Sequence, residues 1–256
     1  MDNRPIGVFD SGVGGLSVVR ELRQLLPGEN VVYFADQAHC PYGNRSVEEI
    51  QTMATAATRR LLAEGSKLVV IACNTATTTS LATLRDLFAV PFVGVVPAVK
   101  PASRQTRTGV IAVLATEATL KSPGFEALVK AHALGTQVLR RACPDLVTLV
   151  ERSELDSSEL AARIRAHILP LQNAGVDQLV LGCTHFEFIR QAVERIVGPG
   201  IPVLGTVRAV AEQTAKVLRQ NGLESPEKRG WLKLTTSGEP STFLPLARRL
   251  LQIEPE

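Results

Sequence analysis

The sequence predicts an α/β fold built from doubly wound parallel sheets. Three observations support this: short apolar runs of strand length, amphipathic stretches of helical length between them, and polar or glycine-rich residues at the carboxyl ends of several runs. The first run, Ile6 to Phe9, leads directly into the loop DSGVGG. Val31 to Ala35 follows, and then a helix over Ser46 to Glu64, whose start is marked by Ser46 with Glu49 three residues on, the pattern of a capping box. Further strands are expected at Leu68 to Ala72, Phe92 to Val96 and Val110 to Ala115. A second helix is expected over Ser157 to Ala174, then strands at Leu179 to Gly182 and Pro202 to Gly205. These runs are apolar on both faces, as parallel strands covered by helices on either side must be. The charged loop Glu224 to Gly230 precedes WLKLTTSG, which reads as a late strand.

Pro97 and Pro101 in VVPAVKPAS, and the segment around Gly205, are natural crossing points between two lobes. One lobe is then expected to comprise residues 1–97 plus 207–256, with the Asp10 and Cys73 loops. The other comprises 98–206, with Glu151 and the Cys183 loop. A weak internal duplication fits this: VVIACNTAT around Cys73 and LVLGCTHFE around Cys183 share one plan, separated by about the length of a small domain.

A chain of 256 residues is long enough to bury a core in each lobe. Its 28 Lys and Arg stand against 25 Asp and Glu, a net charge of +3, so no single-sign field points to nucleic acid, and a small-molecule partner is expected. No apolar run reaches transmembrane length, and MDNRP leads into IGVF without the layout of a secretory signal. Four cysteines, Cys40, Cys73, Cys143 and Cys183, are too few for a disulfide scaffold and are expected to be free thiols.

In open α/β sheets, ligands sit beyond the carboxyl ends of the strands, where following helices present free N–H groups. Four loops there carry unusual residues. The first, Asp10 to Gly15, has glycines for close backbone approach and Asp10 and Ser11 for side-chain contacts; it lacks Walker A and GxGxxG spacing. Its plainer reading is a turn capped by Asp or Ser. The second, ADQAHCPYGNRS, holds Asp36, Tyr42 and Gly43, a hydroxyl and an amide suited to a carboxylate, or simply a Pro-Tyr-Gly turn before the next helix. The third and fourth are CNTAT and CTHFE, each with a cysteine followed by donors: Asn74 and Thr75, Thr184 and His185. Either cysteine alone would read as a small buried hydrophobe, but two at matched positions are harder to set aside. Cys40 and Cys143 lack the strand-then-helix setting and read as structural.

Two such thiols fit some chemistries better than others. A zinc site would have to complete Cys73, Cys183 and His185 with Cys40 or His39, and no CxxC or HExxH spacing supports it. Disulfide exchange would leave the polar loops unexplained, and nucleophilic catalysis would leave one thiol idle. Acid–base chemistry uses both: a thiolate on one face of a substrate carbon and a thiol on the other remove and return a proton, which inverts a stereocentre.

IGVFDSGVGGLSV, the PYG element, ACNTAT, LGCTH and LTTSGEP together resemble the glutamate racemases of the cofactor-independent aspartate/glutamate racemase superfamily. The resemblance spans nearly the whole chain in order, and ACNT combined with GCTH is highly specific. It implies two α/β lobes of similar fold with the active site between them, no pyridoxal phosphate, no metal, and a cytoplasmic enzyme, often a homodimer, that supplies D-glutamate for peptidoglycan. Position by position, Cys73 resembles the base for D-glutamate and Cys183 the base for L-glutamate. Asp10 and His185 resemble their assistants, also at the substrate, and Asp36 and Glu151 resemble outer helpers. Ser11, Tyr42, Gly43, Asn74, Thr75 and Thr184 resemble the substrate contacts. Three departures stand out: Phe186-Glu187 where Tyr-Pro is usual, Gly205-Thr206 where Asp-Ser is common, and Ala35-Asp36-Gln37 where the pattern is Gly-Asp-Thr. They leave open a racemase or decarboxylase of the same fold acting on aspartate or another small diacid. A binding or regulatory protein is the reading from a different class.

Overall fold

The structure is a computed structural model that describes residues 1–252, and its strands form two parallel sheets. The first four strands are β1 (Ile6–Asp10), β2 (Val31–Ala35), β3 (Leu68–Ile71) and β4 (Phe92–Gly94). Four more follow, β5 (Val110–Ala115), β6 (Gln137–Ala142), β7 (Gln178–Leu181) and β8 (Val203–Leu204), and β9 (Leu232–Thr236) returns to the first sheet. Helices α1 (Leu16–Leu25), α2 (Val47–Ala63), α3 (Asn74–Leu87) and α4 (Val99–Gln105) connect the earlier strands. Then come α5 (Glu117–Lys121), α6 (Pro123–His132), α7 (Pro144–Glu151), α8 (Ser158–Asn173) and α9 (Arg190–Val197). The chain ends with α10 (Val207–Gln220) and α11 (Pro240–Leu251). Among the described residues no helix is long and apolar enough to cross a membrane.

The strand orders are β4-β3-β1-β2-β9 and β6-β5-β7-β8. Apart from β9, the two sheets share one topology: β5 corresponds to β1, β6 to β2, β7 to β3 and β8 to β4. The duplication seen around the two cysteines is therefore architectural, since Cys73 follows β3 and Cys183 follows its counterpart β7.

The central strands are buried on both faces because their residues alternate between two helical layers. In β2, Val31, Tyr33 and Ala35 join the core formed with Val18, Val19 and Leu22 of α1, while Val32 and Phe34 join Ile50, Ala54 and Leu61 of α2. Register follows: Val8 lies opposite Tyr33 on one side and Val70 on the other. Each fully buried aliphatic or aromatic side chain contributes roughly 1.5–3 kcal/mol. The α2 capping box is present, with the Ser46 hydroxyl accepting from Glu49 N and the Glu49 carboxylate from Ser46 N.

The sequence reading missed β6. Its residues, QVLRRA, alternate poorly and are half-exposed or exposed because β6 is the edge strand of its sheet, with only partial cover for Val138 and Leu139 on its two faces. That omission also misjudged Cys143. It does stand between a strand and a helix, at the N-cap of α7, although its side chain packs in the core and burial pushes its thiol pKa up.

Candidate active site

The carboxyl ends of the two sheets meet at their β1/β3 and β5/β7 strand pairs, where the connections leave in opposite directions and a crevice opens. One wall of the resulting cavity is made by Ser11, Pro41, Tyr42, Gly43, Cys73, Asn74 and Thr75. Thr116, Val147, Cys183, Thr184 and His185 make the other. Both thiols that the sequence singled out thus border one space, which holds about one water. Among the described residues no arginine or lysine lines it; neutral hydroxyls, amides and thiols do.

Cys73 sits at the N-cap of α3, where its sulfur accepts from Ala76 N at 3.5 Å and lies 3.7 Å from the Ser11 hydroxyl. Burial and then the Asp10 carboxylate push its thiol pKa up to about 12, against the pull of the Ala76 N–H and the Ser11 hydroxyl. Asp10 ends β1, fully buried and behind the cavity wall. Its carboxylate accepts from Gly12 N at 2.7 Å and, across the two sheets, from the Thr184 hydroxyl at 3.0 Å. Burial nonetheless raises its pKa, with His185 opposing.

Cys183 has different company. Its sulfur is 3.7 Å from His185 Nδ1, and His185 Nε2 is 2.6 Å from Glu151 Oε1. Glu151 ends α7 and also accepts from Val13 N at 2.8 Å and Gln37 Nε2 at 3.1 Å. Burial works to deprotonate His185, but the Cys183 sulfur and the Glu151 carboxylate outweigh it and hold its pKa well above the ordinary histidine value. Burial likewise works to protonate Glu151; hydrogen bonds from His185, Val13 and Gln37 prevail and hold its pKa below the usual carboxylate value. The result is a Cys183–His185–Glu151 relay in which the imidazole carries a proton toward the sulfur, whereas Cys73 is a thiol with no cation beside it.

The glycines of the DSGVGG loop make room for this relay. A side chain at Gly12 would collide with the Glu151 carboxylate, and one at Gly14 with the His185 ring and the Thr184 hydroxyl.

Asp36 stands behind Tyr42 and outside the cavity. It accepts from the Tyr42 hydroxyl at 2.6 Å and the Ser237 hydroxyl at 2.7 Å, and lies 2.9 Å from His39 Nδ1. Burial and the Asp36 charge push the Tyr42 pKa up, so the phenol remains a neutral donor. Thr75, at the start of α3, forms a triangle of hydroxyls with Thr116 and Thr119, at 2.8, 3.0 and 2.9 Å.

Sequence reasoning missed Thr116, Val147 and Gln37. Thr116 had a signal: it directly follows β5, as Ser11 follows Asp10 at the end of β1, so aligning the two halves on their strands would have found it. Cys40, Glu151 and His185 offer donor atoms within 4.8 Å of one another, a set that could suggest zinc. Two ligands of a tetrahedral zinc at about 2.0 Å are held roughly 3.3 Å apart. His185 Nε2 and Glu151 Oε1, at 2.6 Å, have the spacing of a shared proton.

A model of the Asp/Glu/hydantoin racemase family matches residues 6–214. The chain is 45% identical over 255 residues to a glutamate racemase from Herpetosiphon aurantiacus, spanning 99% of this chain and 100% of that one. Its fold is similar to the crystal structure of a glutamate racemase from Bacillus anthracis, with a TM-score of 0.91 at 32% identity over 99% of this chain and 96% of that chain. It is also similar to Escherichia coli glutamate racemase in complex with L-glutamate and the activator UDP-MurNAc-Ala, with a TM-score of 0.86 at 32% identity over 96% and 95% of the two chains.

Proposed function

This chain belongs to the Asp/Glu/hydantoin racemase family, and from that membership we propose that it interconverts L- and D-glutamate by proton transfer between two cysteines on opposite faces of the α-carbon. The observation that carries the reading is the shared cavity: Cys73 and Cys183, at equivalent positions of two equivalent sheets, both border it.

In this mechanism Cys183, as thiolate beside protonated His185, removes the α-proton of L-glutamate. Cys73 delivers its thiol proton to the opposite face, giving D-glutamate, and is left as thiolate while Cys183 is left as thiol. D-glutamate is then the substrate of that second form, and its turnover restores the first. Burial and the Asp10 carboxylate hold Cys73 in the thiol form from which it delivers its proton. The substrate's ammonium group, once beside Cys73, stabilises the thiolate that forms there. Tyr42, Asn74, Thr75, Thr116 and Thr184 line the space for the two carboxylates; Asn74 brings an amide, and the hydroxyls, which donate to Asp36, to Asp10 and to one another without substrate, exchange those partners to donate to it. Asp10 and Asp36 act from behind the wall, through Thr184 and Tyr42. The same reading includes provision of D-glutamate for peptidoglycan, a cytoplasmic site of action and a homodimer, each supported by the family resemblance.

Circular dichroism of L-glutamate incubated with the protein, without added cofactor, tests the activity. Loss of optical signal that is abolished in both Cys73→Ser and Cys183→Ser is the expected result. Turnover of aspartate in place of glutamate would replace the substrate, and turnover that survives either substitution would end the two-base reading.

A further inference from the structure

Gln37 lies on the short 3-10 turn after β2 and is one of the three places where the sequence departs from the family pattern. Its amide Nε2 donates to Glu151 Oε2 at 3.1 Å, and its Oε1 accepts from the Thr236 hydroxyl at the end of β9 at 3.2 Å. Only this orientation serves both partners, because the flipped amide would turn a carbonyl oxygen toward a carboxylate. A continuous hydrogen-bonded path therefore runs from β9 through Gln37, Glu151 and His185 to Cys183, crossing from one sheet to the other. Threonine at position 37, the residue of the family pattern, is too short to make this bridge.

The surroundings of Glu151 give the bridge its importance. Facing its carboxylate are His185, Cys40, Asp10 and Tyr33. Of these, His185 alone carries positive charge, while the negative form of each other group opposes that of Glu151. What else keeps the carboxylate ionised is a pair of neutral donors, Val13 N and the Gln37 amide, and only the second is a side chain.

We propose that Gln37 is a positioning residue for the Cys183 side of the reaction: it holds Glu151 ionised and aimed at His185, and so sets how firmly His185 keeps the proton it presents to Cys183. The inference rests on the racemase reading for its catalytic consequence, though not for its electrostatic one.

Three variants test it. Gln37→Leu keeps much of the volume and removes the donor. Thr236→Val leaves the amide but removes the hydroxyl that orients it, and Gln37→Lys replaces a neutral donor with a cation. In the pH profile of kcat/KM for L-glutamate, the acid limb reports loss of the pair of Cys183 thiolate and His185 imidazolium that ionised Glu151 supports. It should rise by about one pH unit in Gln37→Leu, rise less in Thr236→Val, and stand at or below the wild-type position in Gln37→Lys. A side chain that served packing alone would lower activity without ordering the limb by charge, so coincident limbs in all three variants would overturn the proposal. Titration of the His185 ring by 15N NMR in the unliganded protein, assigned with His185→Asn, gives a readout independent of turnover. Its midpoint should fall in Gln37→Leu, and an unmoved midpoint counts against the tether. A wild-type protein without racemase activity, but with that shift, would remove the catalytic reading and leave the tether standing.

Discussion

The carboxylate of Glu187 occupies the space that a side chain at Gly205 would need. Arg190 holds it there, donating from Nε to Glu187 Oε2 at 2.9 Å and from Nη1 to the Val203 carbonyl at 2.8 Å, which ties the turn after Cys183 to the end of β8. Two departures that lie far apart in sequence are thus one event in space: an acid at 187 stands where the family pattern has an acid at 205.

Their energies should therefore couple. Gly205→Asp alone, forced against Glu187, is expected to destabilise the fold by about 1–3 kcal/mol, and Glu187→Ala alone to leave Arg190 with only Glu194 and the Val203 carbonyl. The double variant should recover stability by roughly 0.5–3 kcal/mol relative to the sum of the two. Urea unfolding of all four proteins measures this; strict additivity would show the two sites to be independent.

Gly14 should be as demanding as any residue that touches substrate. In Gly14→Ala the new methyl meets His185 Nδ1 and Thr184, moving the imidazole away from Cys183. A loss of about 100-fold in kcat is expected for a displacement of this kind. Gly65, which has open space around it but a φ of +81°, is the control: alanine there should cost stability and leave kcat alone.

How much of this was readable beforehand depended on which physical signal each residue leaves. The central strands were legible because two-sided burial forces continuous apolar runs, and α2 because Ser46 and Glu49 satisfy each other's backbone N–H groups. Strand β6 was not, since an edge strand with Arg140 and Arg141 needs no apolar face toward solvent. Cys73 and Cys183 stood out through their matched surroundings. Gln37 stood out only as a departure from the family pattern; its role did not, because its partners, Glu151 and Thr236, come from distant parts of the chain and nothing local records the meeting. Val147 contributes only an apolar surface to the cavity, indistinguishable in sequence from any other core valine.

The hydroxyl triangle separates binding from packing. Thr116 borders the cavity and Thr119 does not, although each bonds both of its partners. Thr116→Val should lower kcat/KM by about 10- to 100-fold through loss of a hydrogen bond to a charged substrate. Thr119→Val should reduce stability with kcat/KM nearly unchanged. Equal kinetic effects would mean that the triangle acts only as a unit.

Asp177 makes a prediction about acid stability. Its carboxylate accepts from the Thr106 hydroxyl and from Arg107 N, both at 2.6 Å, and from Thr108 N at 3.1 Å, closing the turn before β5. Burial acts to raise its pKa, but these donors prevail and hold it below the ordinary value. A lowered native pKa adds stability that is complete above the unfolded-state value, about 3.9, and disappears as pH falls through the native one. Asp177→Asn should therefore be less stable than the wild type near neutrality, with the gap narrowing below about pH 4. A gap that stays constant with pH would argue that the charge is unimportant.

The unequal settings of the two cysteines have a thermodynamic corollary. Enantiomers in water have the same free energy, so the equilibrium constant between free L- and D-glutamate is one. At that equilibrium the specificity constants for the two directions must be equal, whatever the enzyme's construction. The difference between Cys73, buried beside Asp10, and Cys183, served by His185 and Glu151, can then emerge only as a division between turnover number and Michaelis constant. The direction with the faster maximal rate must also be the one that needs more substrate to reach it.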